Sequence, residues 1–197
     1  NYVTNLSTLR YRHWNVLKLW SHFPRVDVRA SLDGINEQGE LLRKGIRWKD
    51  VEKNFRLLRL FAPRVAFNVF PAVSVMNCFH LPAAIDRWIE LGMLAMITLQ
   101  NSFSVNFVKT PHYYSVQILN EEERGLLERN YRAYLADLRG RVGSPIFEGV
   151  QRELQRVLDW ATSGSQEDQR RNLRKATFTL DRSRRENVAR LFPALSG

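Results

Sequence analysis

The stretch RVDVRASLDGINEQGELLRKGIRW, residues 25–48, passes from alternating apolar positions into a polar, glycine-bearing turn and then to an arginine ahead of a helix. Val26, Val28, Ala30 and Leu32 recur at period two and so share one face of a strand, which puts Ser31 and Asp33 on the other face near its carboxyl end. In parallel α/β folds, ligands sit at that end of the sheet. Downstream, Trp48, Val51, Phe55, Leu58 and Phe61 follow near-helical spacing as a core stripe over 48–61, and Ala62-Pro63 closes the helix. Val65, Phe67, Val69, Val73 and Val75 then alternate as a strand, with Pro71 marking a kink or an edge position. Strand, helix and strand make a βαβ unit, which requires parallel strands and a right-handed crossover. The expected fold class is α/β with parallel strands.

Upstream, residues 1–9 read as the end of an earlier strand with Thr4 and Asn5 at its tip, where Asn5 either faces a ligand or is an ordinary strand-exit residue. A helix is expected over 8–22, with Leu9, Trp14, Leu17 and Trp20 buried and Pro24 at its end. Asn77 follows the 65–75 strand, level with Ser31 in the repeat. Leu81-Pro82 opens a helix that turns Ile85, Trp88 and Ile89 to the core and is capped by Gly92. A strand over Met93–Leu99 completes a second repeat, and FSVNFV and YYSVQIL, within 101–119, read as short strands. From residue 121 the pattern becomes helical. Leu127, Tyr131, Tyr134, Leu135 and Leu138 form one stripe, Ser144-Pro145 starts a second helix through Trp160, and Ser165 with Asp168 carries a capping-box signature for a third. The tail DRSRRENVARLFPAL reads as a short helix held by Leu191 and Phe192. The expected division is a strand-and-helix region over 1–119 and a helical extension over 120–197 packed on it.

With 197 residues, 44% of them hydrophobic, the chain can bury one core with a helical appendage. Its composition excludes collagen-like, disulfide-rich and disordered classes. A single cysteine, Cys78, precludes an internal disulfide and fits a reducing cytoplasm, the expected location. No run approaches the roughly 18 apolar residues of a membrane span, and no membrane partner is expected. The formal net charge of +10 raises the question of nucleic acid. Residues 1–120 carry 15 Lys or Arg against 8 Asp or Glu, and residues 121–197 carry 15 against 12, so the excess reads as spread over a solvated basic surface. Neither an RNP-like aromatic motif nor zinc-finger spacing accompanies it, and a nucleic-acid partner is not expected. The sequence has no GxSxG elbow and no P-loop. Cys78 and His80 lack further partners at metal spacing, and no metal ligand is assigned.

In SLDG at 31–34, LLRKGIRW at 41–48 and VEKNFRLL at 51–58, the chain resembles the second half of a radical S-adenosylmethionine barrel, nearest to the subgroup of twitch-domain-containing radical SAM proteins. TNLSTL at 4–9, PAVSVMNCFHLP at 71–82, PHYYSVQIL at 111–119, LDRSRREN at 180–187 and LFPAL at 191–195 extend the resemblance over nearly the whole chain, in order. It implies a partial (β/α) barrel of the radical SAM type followed by the helical extension. The family carries a CxxxCxxC loop whose thiolates hold a 4Fe-4S cluster. Such a cluster needs about three or four thiolates, and this chain has one cysteine. The matching region begins near the third barrel strand and the chain starts at Asn1, so the resemblance implies the carboxyl-terminal part of a longer enzyme, with the cluster ligands in a missing amino-terminal portion or a partner chain.

By the same resemblance, Asn5, Ser31, Asp33, Arg43 and Asn77 are the candidate cosubstrate-binding residues, with Ser31 and Arg43 meeting the methionyl part or ribose of S-adenosylmethionine. A planar guanidinium suits that carboxylate; read from the residues alone, Arg43 pairs instead with Glu37 or Glu40. In the parent enzyme a reduced cluster would cleave S-adenosylmethionine to methionine and a 5'-deoxyadenosyl radical that abstracts hydrogen from a substrate. Peptides and other biosynthetic intermediates are modified in neighbouring groups. The alternatives are a non-catalytic half-barrel acting as a binding or scaffold protein and, behind it, a basic nucleic-acid binder.

Overall fold

Residues 1–94 and 103–192 are described by the computed structural model. They belong to two compact units, Asn1–Pro71 with Ala84–Ser104, and Ala72–Ala83 with Val105–Gly197. The first unit opens with strand β1 (Tyr2–Thr4), a hairpin of β2 (Arg10–Tyr11) and β3 (Trp14–Asn15), helix α1 (Val16–Trp20) and strand β4 (Asp27–Ala30). The helix expected over 8–22 is therefore reduced to its last third. Arg12 takes a left-handed φ of 53° in the hairpin turn, and the Asn15 carboxamide accepts from Leu17 N at 2.9 Å and Lys18 N at 3.2 Å, so the helix starts after Asn15. Trp14, expected in the core, is 53% exposed as a result.

Two helices follow β4: α2 (Asn36–Leu42) and α3 (Trp48–Phe61), the latter with the expected bounds. Trp48, Val51, Phe55 and Leu58 are buried, whereas Phe61, on the last turn, is exposed and lies past the end of the core stripe. The chain returns as β5 (Ala66–Val69), and the three strands pair in the order β1-β4-β5, all parallel, with Thr4 opposite Ala30 and Ala30 opposite Val69. Phe55 of α3 packs its ring 4.8 Å from that of Phe67, so α3 covers the face bearing Val28, Ala30, Phe67 and Val69. The chain is thus α/β with a small parallel sheet and many helices; among the described residues the sheet does not close into a barrel.

Beyond Phe70-Pro71, strand β6 (Ala72–Val73) belongs to the second unit. Val75 does not extend it, because Asn77 closes a turn over residues 74–77. Helix α4 (Leu81–Glu90) starts there and from Ala84 is part of the first unit. Gly92, at a φ of 73°, ends it: Gly92 N donates to Ile89 O and Met93 N to Trp88 O, the paired bonds of a Schellman cap. Most of the strand expected over Met93–Leu99 lies outside the described residues. Within the first unit, α3 and α4 are tied by Glu52, which accepts from Trp48 Nε1 at 2.8 Å and from Arg87 Nη2 at 2.7 Å. Burial alone would raise the Glu52 pKa, but the hydrogen bonds from Arg87 and Trp48 and the charges of Arg87 and Arg56 hold it below the usual carboxylate range.

Strand β7 (Asn106–Phe107) pairs parallel with β6 in the second unit. YYSVQIL, expected as a strand, folds instead into two single 3₁₀ turns, His112–Tyr114 and Val116–Ile118, with the Ser115 hydroxyl accepting from Gln117 N. Helices α5 (Glu121–Leu138), α6 (Ser144–Thr162), α7 (Arg170–Arg184) and α8 (Val188–Leu191) complete the unit. α5 begins with a capping box of Asn120 and Glu123. The one expected at Ser165 and Asp168 does not form: the Ser165 hydroxyl turns to Glu167, and α7 begins after a 3₁₀ turn at Glu167–Gln169. The core gathers Leu127, Tyr131 and Leu138 of α5 with Val150, Leu154 and Val157 of α6. Glu153, buried among them, accepts from Val105 N at 2.9 Å and anchors the segment that carries β7. Phe192 is buried against the His80 ring, as expected of the tail.

Candidate functional site

Parallel pairing of β1 with β4 brings the strand ends predicted to carry the site side by side. Ser31 N donates to Thr4 O at 2.8 Å, so Asn5 and Ser31 leave adjacent strands at the same level. The Asn5 carboxamide oxygen accepts from Ser7 N and Ser7 Oγ, a local turn that leaves its Nδ2 without a hydrogen-bond partner among the described residues. The Ser31 hydroxyl is likewise without one.

Helix α2 then reverses the chain, and its carboxyl end returns Arg43 to Asp33. Arg43 Nη2 donates to Asp33 Oδ1 at 3.2 Å, and Nε lies 2.7 Å from Oδ2. The pair forms with Asp33, ten residues back, rather than with Glu37 or Glu40. Glu40 is used elsewhere, accepting from Trp48 N at 2.8 Å at the start of α3. The reversal depends on a close approach of two glycines: a Cβ on Gly39 would lie 2.6 Å from Gly34 O.

The sheet face opposite α3 carries the row Val3, Arg29, Asn68, with Val3 68% exposed and Arg29 exposed beside it. The Arg29 guanidinium sits 6.0 Å from the Phe70 ring centroid and has no carboxylate partner among the described residues. Arg29 is not among the residues expected at the site, although the period-two pattern that puts Ser31 and Asp33 on one face puts Arg29 there as well. Three clefts of the first unit, of about 530, 600 and 540 Å³, are lined by residues other than Asn5, Ser31, Asp33 and Arg43.

Asn77 belongs to the second unit and is engaged there. Its Oδ1 accepts from Ser74 N at 2.7 Å and its Nδ2 donates to Ala72 O at 3.0 Å, which closes the turn after β6 with the side chain 3% exposed. Next to it, Cys78 is fully buried, and burial pushes its thiol pKa up to about 12, far from the thiolate that reactivity or metal binding requires. Tyr131 donates from its hydroxyl to Cys78 O at 2.7 Å. Burial lowers the His80 pKa, which favours the neutral ring. Among the described residues no three His, Cys, Asp or Glu side chains come together in a way that could hold a metal ion, and no helix is long and apolar enough to cross a membrane. Comparison with protein-family models, with curated proteins and with solved structures found no match to this chain.

Proposed function

We propose that the first unit is the cosubstrate-binding portion of a radical S-adenosylmethionine enzyme, with Asn5, Ser31 and Arg43 holding S-adenosylmethionine and Asp33 orienting Arg43. The supporting observation is the spare hydrogen-bonding capacity at two adjacent parallel strand ends, Asn5 Nδ2 and Ser31 Oγ, beside the Asp33–Arg43 pair. Ribose hydroxyls suit the first two groups. A carboxylate suits the part of the Arg43 fork that Asp33 leaves over, and Arg29 on the same face offers a second cation. The single buried thiol does not fit a 4Fe-4S cluster, so no step through a cluster is assigned to these residues. Their part is to bind and orient the cosubstrate, with the substrate drawn from classes such as peptides.

Calorimetric titration of the full chain with S-adenosylmethionine tests this reading. Saturable binding that weakens at least tenfold in Ser31→Ala and in Arg43→Met supports it; no binding, or equal affinity in both variants, overturns it. A second reading, a non-catalytic half-barrel, draws on the outer edge of β1, which has no strand partner among the described residues. Such an edge is a template for a strand from another chain. A chain that binds no S-adenosylmethionine but self-associates on sizing, with Val3→Pro restoring the monomer, would favour it.

A further inference from the structure

We propose that the exposed face of α7 binds single-stranded nucleic acid. Positive charge is concentrated locally: residues 170–190 hold eight Lys or Arg against two acids, Asp181 and Glu186. The helix sorts them. Arg171, Lys175, Phe178 and Arg182 stand at i, i+4, i+7 and i+11, and at 100° per residue they fall within about 60° of one another, with Arg174 beside the stripe and Arg185 just past the end of the helix. All six are exposed, and Phe178, in the middle, is 69% exposed.

The opposite side is occupied. Leu173 is buried, and Arg170 turns away to give Glu123 a bond of 2.9 Å from Nη2. Neither acid faces the stripe as a free charge: Asp181 accepts from Val188 N at 2.9 Å, and Glu186 lies 4.0 Å from Arg184.

From Arg171 to Arg182 the helix rises about 16 Å, and the five cations along and beside that length can neutralise about five phosphates of one strand. A line of guanidinium forks complements such a polyanion. An aromatic ring set among cations is the arrangement on which unpaired bases stack. A membrane surface fits less well, because an interfacial helix needs an apolar face to insert, and this face offers one ring.

The test is fluorescence anisotropy of a labelled 12-nucleotide oligo(dT) with the full chain, from 50 to 300 mM NaCl. Log affinity should fall linearly with log salt at a slope of about −3.5, the value for about five single-strand phosphate contacts. Phe178→Ala should weaken binding about 5- to 150-fold, the equivalent of about 1–3 kcal/mol. Arg171→Gln with Arg182→Gln should reduce the slope by about 1.4. These side chains are exposed, so an unchanged thermal midpoint verifies that each variant is folded. No binding, equal binding to polyaspartate or phosphatidylserine vesicles, or an unchanged affinity in Phe178→Ala would overturn the proposal.

Discussion

Ser31 and Asn77 occupy corresponding places in the sequence, each just past an alternating apolar strand, yet their surroundings differ in kind. Ser31 leaves β4 with its hydroxyl unpartnered, next to Asn5 with a spare amide nitrogen and to a charged pair. Asn77 is sealed into a turn, with both ends of its carboxamide spent on backbone. A polar residue at a strand end thus keeps spare hydrogen-bonding capacity in one unit and fastens a loop in the other. What separates them is whether the backbone nearby already has its hydrogen bonds. At β4 the parallel neighbours on both sides satisfy the main chain. At β6 the strand stops after two residues and the side chain must finish the work.

The contrast breaks most visibly at Asn77. Asn77→Ala leaves Ser74 N without its acceptor in a buried turn, and a loss of about 2–4 kcal/mol is expected in urea unfolding. A loss below about 0.5 kcal/mol would place the turn's stability elsewhere and return Asn77 to the ligand candidates. The next effect concerns the geometry that returns Arg43 to Asp33. Gly39→Ala sets a Cβ 2.6 Å from the Gly34 carbonyl oxygen, a backbone atom that cannot swing aside, and about 1–3 kcal/mol should be lost. If S-adenosylmethionine binding survives this change unaltered, the Asp33–Arg43 pair is not part of the binding face.

The burial of Cys78, beside Asn77, also has a pH signature. With its pKa raised from 9.0 to about 12, the Cys78 thiol is held neutral in the folded chain and ionises more readily once unfolded. Its contribution to stability is therefore complete below pH about 9 and is lost as pH rises toward about 12. Lysines and tyrosines titrate over the same range, so the measurement is a difference: stability should fall with alkaline pH more steeply in the parent chain than in Cys78→Ala. Parallel slopes would mean that the thiol is reached by solvent.

Much of the first unit is legible in the sequence because its signals do not compete. The core stripe of α3 starts at Trp48, and Ala62-Pro63 stops the helix where expected; Gly92 ends α4 for the reason a left-handed residue is needed there. The hairpin at 10–15 was hidden because Leu9, Leu17 and Trp20, all buried, keep a spacing that a helix also produces. The left-handed turn at Arg12 and the Asn15 cap on the first-turn amides decide otherwise. Of the short strands expected within 101–119, FSVNFV yields β7, whereas YYSVQIL gives way to 3₁₀ turns through the same kind of local chemistry, with the Ser115 hydroxyl offering the backbone a side-chain partner. In the candidate site, adjacency of Asn5 and Ser31 follows from parallel pairing, whereas the choice of Asp33 over Glu37 and Glu40 as the partner of Arg43 depends on the path of α2. Arg29 was available by periodicity alone. The basic face of α7 was not, because a tally over 77 residues averages away what one helix face collects.

The smallest expected effect on stability is the most informative about the open strand ends. Ser31→Ala removes a half-buried hydroxyl that makes no protein hydrogen bond among the described residues, so unfolding should shift by less than about 0.5 kcal/mol. A hydroxyl kept for folding would leave a buried group unsatisfied on its removal, and the cost would then resemble that of Asn77→Ala. Measured on the same preparation, near-zero loss of stability with a tenfold loss of S-adenosylmethionine affinity would mark Ser31 as a ligand contact. Near-zero loss of both would leave it an ordinary strand-exit serine and shift the weight of the binding face to Arg29 and Arg43. A loss of stability approaching that of Asn77→Ala would erase the distinction between the two strand ends, making Ser31 a fastener like Asn77.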